Sequence, residues 1–147
     1  MLVGGAVLLA VVLLVWGRFN DSNRDLVENW KAAGIDCLPR GHVNLAQHIH
    51  LSLTVMLDGQ PINVSAHIGE VRTCMAEVHT HDVGGTIHLE STDADKTFTL
   101  EQFFKVWGEP LDKNGYQLTA TADSQMIENP AELILKDSQQ ILLEYQK

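Results

Sequence analysis

The strongest constraint on this chain is the alternation over residues 46–57, Ala-Gln-His-Ile-His-Leu-Ser-Leu-Thr-Val-Met-Leu. Ile49, Leu51, Leu53, Val55 and Leu57 fall on one side, with His48, His50, Ser52, Thr54 and Met56 on the other. A period of two is the pattern of a strand with one face in a core and the other turned to polar surroundings. Asp58-Gly59 follows, a dipeptide suited to a two-residue hairpin turn. Closing the chain there pairs Leu57 with Gln60, Val55 with Ile62 and Leu53 with Val64. Carried on without a bulge, the register would set His67 opposite His50.

A second alternating stretch runs His79-Thr80-His81-Asp82-Val83-Gly84-Gly85-Thr86-Ile87-His88-Leu89-Glu90. A turn at Gly84-Gly85 sets His81 opposite His88 and His79 opposite Glu90. A turn longer by one residue on each side pairs His79 with His88 and keeps the parity. Either way all four project from one face, with cross-strand Cβ atoms about 5 Å apart. That spacing and those residue types suit zinc, copper or iron. The plainer reading is an amphipathic hairpin, with Val78, Ile87 and Leu89 in the core and the histidines solvated. If the two hairpins share one sheet, their histidines meet, and a metal site becomes the better reading.

Composition narrows the function. The chain has 147 residues and a net charge of −9, with its Lys and Arg scattered and no basic stripe. Phosphate neutralisation needs clustered cations, so nucleic-acid binding is not expected. There is no Gly-rich phosphate loop, Ser nucleophile elbow or HExxH helix. The sequence leaves open whether the chain is an enzyme.

Leu2 to Trp16 is fifteen residues without a charge. As a helix it spans about 22 Å, short of the ~30 Å hydrocarbon core. Extension through Phe19, with Arg18 snorkelling outward, nearly closes the gap. A basic n-region and a small-residue cleavage site are not visible, so a retained single-span anchor is expected over a cleaved signal. Cys37 and Cys74 form an even pair in a chain read as exported. Their disulfide would close a loop of roughly 38 residues and stabilise the fold by about 4 kcal/mol. The rival is a thiolate joining the histidines, but Cys74 has the opposite parity from His79 and His81.

The organisation expected is an anchor over 1–19, a linking helix over 20–34 capped from Asp21-Ser22-Asn23 and stopped by Gly34, and one extracytoplasmic domain over 35–147. That domain is read as α+β, mainly antiparallel sheet built from hairpins at about 46–67 and 72–91, with short helices. Thr99 and Gln102 make a capping box and Gly108 a stop, giving a two-turn helix whose Leu100, Phe103, Phe104 and Trp107 pack the core. Tyr116–Ala122 reads as a strand. Ala131–Leu135 and Ile141–Tyr145 are apolar stretches separated by a turn at Lys136-Asp137-Ser138.

Two longer patterns carry a resemblance. One is Cys74-x4-His79-Thr80-His81-Asp82-x-x-Gly85-x-Ile87-His88-x-Glu90; the other is Phe98-Thr99-Leu100-x-Gln102-Phe103-Phe104-x-x-Trp107-Gly108-x-Pro110-Leu111. From about Gly34 to Leu111 the chain resembles a family of uncharacterised, exported or membrane-anchored bacterial and archaeal proteins. That family carries HIHAHL, LHTHD-x-x-G-x-IHIE and FTLGQFFxxWGxPL motifs. The resemblance implies a membrane context and no assigned reaction. Ser52 stands where the family has the third alternating histidine, Ala76-Glu77 replace aromatic residues, and Glu101 replaces a glycine. Glu77 shares the parity of His79 and offers a compensating carboxylate.

The leading expectation is therefore a membrane-anchored, extracytoplasmic metal-binding domain with a zinc, copper or iron ion. His79, His81 and His88 are the expected ligands, His48, His50 and Glu90 complete or support the site, and Asp82 orients an imidazole. An open coordination position would allow catalysis through a metal-bound water. The alternative is a metal-free accessory or interaction module beside a membrane complex. One ion requires imidazole nitrogens within about 3–4 Å of one another, and an enzyme needs a concave pocket at the patch.

Overall fold

The computed structural model describes residues 23–39 and 43–147. The Leu2–Trp16 stretch, the cap residues Asp21 and Ser22, and His42 lie outside them, so the expected anchor is outside the described residues. No helix among the described residues is long and apolar enough to cross a membrane.

A helix over 23–32 (α1) turns at 33–34 into β1 (Cys37–Pro39), and the long strand β2 (Gln47–Leu57) follows. Leu51, Leu53 and Val55 are buried while His48, His50, Ser52 and Thr54 are exposed, the alternation read from the sequence. Asp58 and Gly59 both have positive φ, 47° and 75°, the backbone of a tight two-residue turn whose twist suits a hairpin. The turn leads into β3 (Gln60–Ile62), pairing Leu57 with Gln60 and Val55 with Ile62.

There the expected register stops. Gly85 occupies the position beyond, its carbonyl accepting from Leu53 N at 2.8 Å, so Val64 does not pair with Leu53. The rest of that edge of β2 belongs to another strand, and His50 faces His88 instead of His67.

The chain continues through β4 (Cys74–Ala76), β5 (Val78–His79) and β6 (Thr86–Ser91). Helix α2 (Leu100–Trp107) comes next, then β7 (Gln117–Ala122), β8 (Gln125–Met126), a 3₁₀ turn (Pro130–Glu132) and β9 (Gln140–Gln146). One sheet has the order β5-β6-β2-β9-β7-β8, with β3 beside the end of β2; β1 and β4 form a small second sheet. The pairing is antiparallel except β2 with β9, which is parallel, making the main sheet mixed. The fold is α+β with two short helices, in line with the expected class.

Helix α2 forms where its caps dictate. Gln102 N donates to Thr99 Oγ1 at 3.3 Å, Thr99 N donates back to Gln102 Oε1 at 2.8 Å, and Gly108 closes the end in the left-handed region. Leu100, Phe103, Phe104 and Val106 are buried against the sheet, and Trp30 and Ile35 join the same core. Each large apolar side chain so buried contributes about 1.5–3 kcal/mol relative to exposure. Gln102 Nε2 also donates to Ala33 O at 2.8 Å, tying α2 to the end of α1.

Cys37 and Cys74 are joined in a disulfide, with Cα atoms 5.6 Å apart. The bond crosses the β1–β4 pair, where Cys37 faces Ala76 and Pro39 faces Cys74. Neither sulfur is a ligand.

Candidate metal centre

The order β5-β6-β2 lays three histidines in one row: His79 faces His88, and His88 faces His50. This is the longer-turn register, not the one pairing His81 with His88. In the adjacent row Glu90 faces His48, whose Nε2 lies 3.2 Å from Glu90 Oε1. His81, just past β5, brings its ring to 4.6 Å from that of His88, centroid to centroid. Two triads result, His79–His81–His88 and His48–His50–His88, each with one ligating atom per residue within 4.8 Å of the others. Five histidines gather, sharing His88, and Glu90 stands beside the second triad outside both.

The first triad lies deeper. His79 is fully buried, and the segment from Ser65 to Glu70 runs along the outer edge of β5. Thr80 N donates to Ile68 O, Ile68 N to Thr80 Oγ1, and Thr80 Oγ1 to Ser65 O. That segment brings Glu70 to His81, whose Nδ1 donates to Glu70 Oε1 at 2.8 Å; His67 reaches the same oxygen at 3.2 Å. Burial works against the charge on Glu70, but the hydrogen bonds from His81 and His67 outweigh it and hold the carboxyl below its usual range.

These contacts set the tautomers. Ala76 O is only an acceptor, so the 2.9 Å contact from His79 Nδ1 requires a proton on that nitrogen. Ionised Glu70 likewise takes the Nδ1 proton of His81. Both neutral rings then present bare Nε2 lone pairs, and these two atoms lie 3.2 Å apart. Two lone pairs at that distance repel unless a proton or a cation sits between them. Bonds of 2.0–2.1 Å at a tetrahedral centre put ligand nitrogens about 3.3 Å apart.

A proton held by His79 or His88 is disfavoured. Burial is the largest cause lowering the His79 pKa, outweighing the Ala76 carbonyl and Glu90. His88 is pushed down to about 4, first by burial and then by His79, His81 and His50. Its Nδ1 is buried and has no hydrogen-bond partner, an uncompensated cost that a bound ion would remove. The ligating atoms of the triad lie within 4.8 Å of one another, and χ2 of histidine is a broad torsion that lets a ring adjust toward ligand spacing.

Two carboxylates expected at the site lie elsewhere. Asp82 is exposed at the turn and holds no imidazole among the described contacts; Glu70 is the carboxylate that orients one. Glu77 is buried but committed, accepting from Asp36 N at 2.8 Å, Ser91 Oγ at 2.7 Å and the Lys96 ammonium. Burial alone would lower the Lys96 pKa, but Glu77 and Asp36 outweigh it and raise it. Ser52 is exposed opposite Thr86, one row beyond His50. Glu70 and His67 were not legible as partners of the site, because the assumed hairpin sent that segment along β2. The only local signal was their i, i+3 spacing.

A cavity of about 260 Å³ is lined by Val55, Ile62, Asn63, Ser65, Phe104 and Trp107 among others, and none of the histidines borders it. No family model, curated protein or solved structure matches the chain.

Proposed function

We propose that this chain is a membrane-anchored, extracytoplasmic metal-binding domain holding one zinc(II) or copper(II) ion on His79, His81 and His88. The observation that carries this is the pair of Nε2 atoms 3.2 Å apart on rings whose Nδ1 protons are already committed. Imidazole nitrogens suit zinc, copper and iron, and the Irving–Williams order favours copper and zinc over iron(II). With both cysteines spent in the disulfide, no thiolate selects a softer ion. Three protein ligands leave a fourth position for water or an exchanging ligand, the arrangement of a site that reacts or transfers rather than one that only braces a fold. The disulfide and the apolar Leu2–Trp16 stretch support export and tethering, as does the resemblance to exported proteins with similar histidine motifs.

The test is metal content by mass spectrometry of the full chain, purified without a histidine tag, beside a His79→Ala/His81→Ala variant. One equivalent of zinc or copper, lost in a variant whose circular dichroism is unchanged, supports the reading. A wild-type protein that holds no metal and refuses added zinc and copper contradicts it and leaves the interaction module.

A further inference from the structure

We infer that His48, His50 and His88 form an outer landing position, from which an ion passes to the inner triad by exchanging ligands around His88. The inference rests on the metal-binding reading above and adds a route and a direction to it.

The row His79–His88–His50 crosses three neighbouring strands with His88 on the middle one, and His81 and His48 flank its two ends. The ring of His50 lies 4.5 Å from that of His88 on one side, and that of His81 lies 4.6 Å away on the other. An ion held by His88 is therefore within a side-chain motion of either pair of partners.

Accessibility gives the direction. His48 and His50 are exposed, the side chain of His48 at 45%, whereas His79 is fully buried. Glu90 is buried beside the outer triad with an oxygen 3.2 Å from His48 Nε2. It places a carboxylate beside the outer triad, where a cation arrives. The overall charge of −9 draws cations to the surface generally.

Chemistry makes the positions alternatives. A neutral imidazole has one N–H and one lone pair, so His88 ligates one ion at a time unless it also loses its remaining proton. In the transfer, bonds from His48 and His50 break as bonds to His79 and His81 form. His88 stays bound, and neither electrons nor protons leave the site. The donor is a labile metal complex, small or carried by a protein, that gives up its ion to exposed imidazoles.

The test is stopped-flow transfer of zinc from a chromogenic chelator to the full chain, with release to excess EDTA, for wild type and a His48→Asn/His50→Asn variant. Both substitutions lie on exposed positions, and circular dichroism checks the fold. The expected result is one zinc per chain in each, nearly equal affinity, and uptake and release both slowed by about tenfold or more in the variant. Unchanged rates would overturn the relay alone, with the ion entering directly beside His81. Two zinc ions in wild type falling to one in the variant would overturn it in favour of two resident sites. A fall in affinity matching the slower uptake would show that the outer histidines hold the resident ion, which also overturns it. Wild type taking up no zinc would overturn the relay together with the metal-binding reading.

Discussion

His81 donates its Nδ1 proton to Glu70 at 2.8 Å across eleven residues of chain, and this one bond orients the exposed end of the inner triad. The backbone carbonyl of Ala76 does the same for His79. Neither partner touches the proposed ion, yet together they aim both Nε2 atoms at one point.

Replacing Glu70 with alanine removes the acceptor and frees the His81 ring to turn. Outer partners of ligating histidines are commonly worth 10–100-fold in metal affinity, so Glu70→Ala is expected to weaken zinc binding by about that factor. His67→Ala removes the more exposed donor to the same carboxylate and should weaken it far less. Competition titration against a zinc chelator measures both, and equal affinities in wild type and Glu70→Ala would contradict the role.

The metal-free protein should lose stability in acid. His88 titrates at about 4 when folded against 6.5 for the free side chain, and His79 is shifted in the same direction. The unfolded chain therefore binds more protons between those values, and stability falls as pH drops from about 6.5 toward 4. Glu70 adds to the loss further down. Its lowered pKa contributes stability above 4.5 that disappears as pH falls through the folded value. Urea unfolding in the presence of a chelator should give a lower midpoint at pH 5 than at pH 7.5, and His88→Asn should flatten the difference. Equal midpoints for wild type would contradict the coupled cluster.

The disulfide links residues 37 apart and fastens β1 to β4, at the base of the segment carrying Glu70. Loop-closure entropy puts its contribution at about 4 kcal/mol. Unfolding with and without reductant, or of a Cys37→Ser/Cys74→Ser variant, should show a loss of that order, and a loss below about 1 kcal/mol would contradict the estimate.

Gly84 and Gly85 look alike in the sequence and differ in the structure. A Cβ on Gly85 would lie 2.0 Å from the Leu53 carbonyl oxygen, at φ 82°, whereas one on Gly84 meets nothing within 4 Å. Gly85→Ala should therefore cost about 3 kcal/mol or more, because backbone must move at the junction of β2 and β6. Gly84→Ala bears only conformational strain and should cost less. Denaturant unfolding of both variants checks the order.

What could be read from the sequence was what local rules encode. The turn at Asp58-Gly59, the pairing of Leu57 with Gln60, the Thr99–Gln102 capping box and the histidine face of β2 each depend on residues close in the chain. The disulfide followed from there being two cysteines in a chain read as exported. Pairings between distant segments were not legible. Nothing in Gln140–Gln146 specifies that it lies parallel to β2, because alternation sets a strand's face and not its neighbour. The same gap hid Glu70. Once Gly85 and β6 take the edge of β2, the chain after Ile62 is displaced toward β5 and carries Glu70 to His81.

The most direct measurement is long-range proton–nitrogen NMR of the histidine rings in the full chain, before and after one equivalent of zinc(II). His79 and His81 are both expected to carry their proton on Nδ1, and zinc to shift the Nε2 resonances of these two rings together with one nitrogen of His88. Protons on Nε2 of His79 and His81, with resonances that zinc leaves in place, would contradict it.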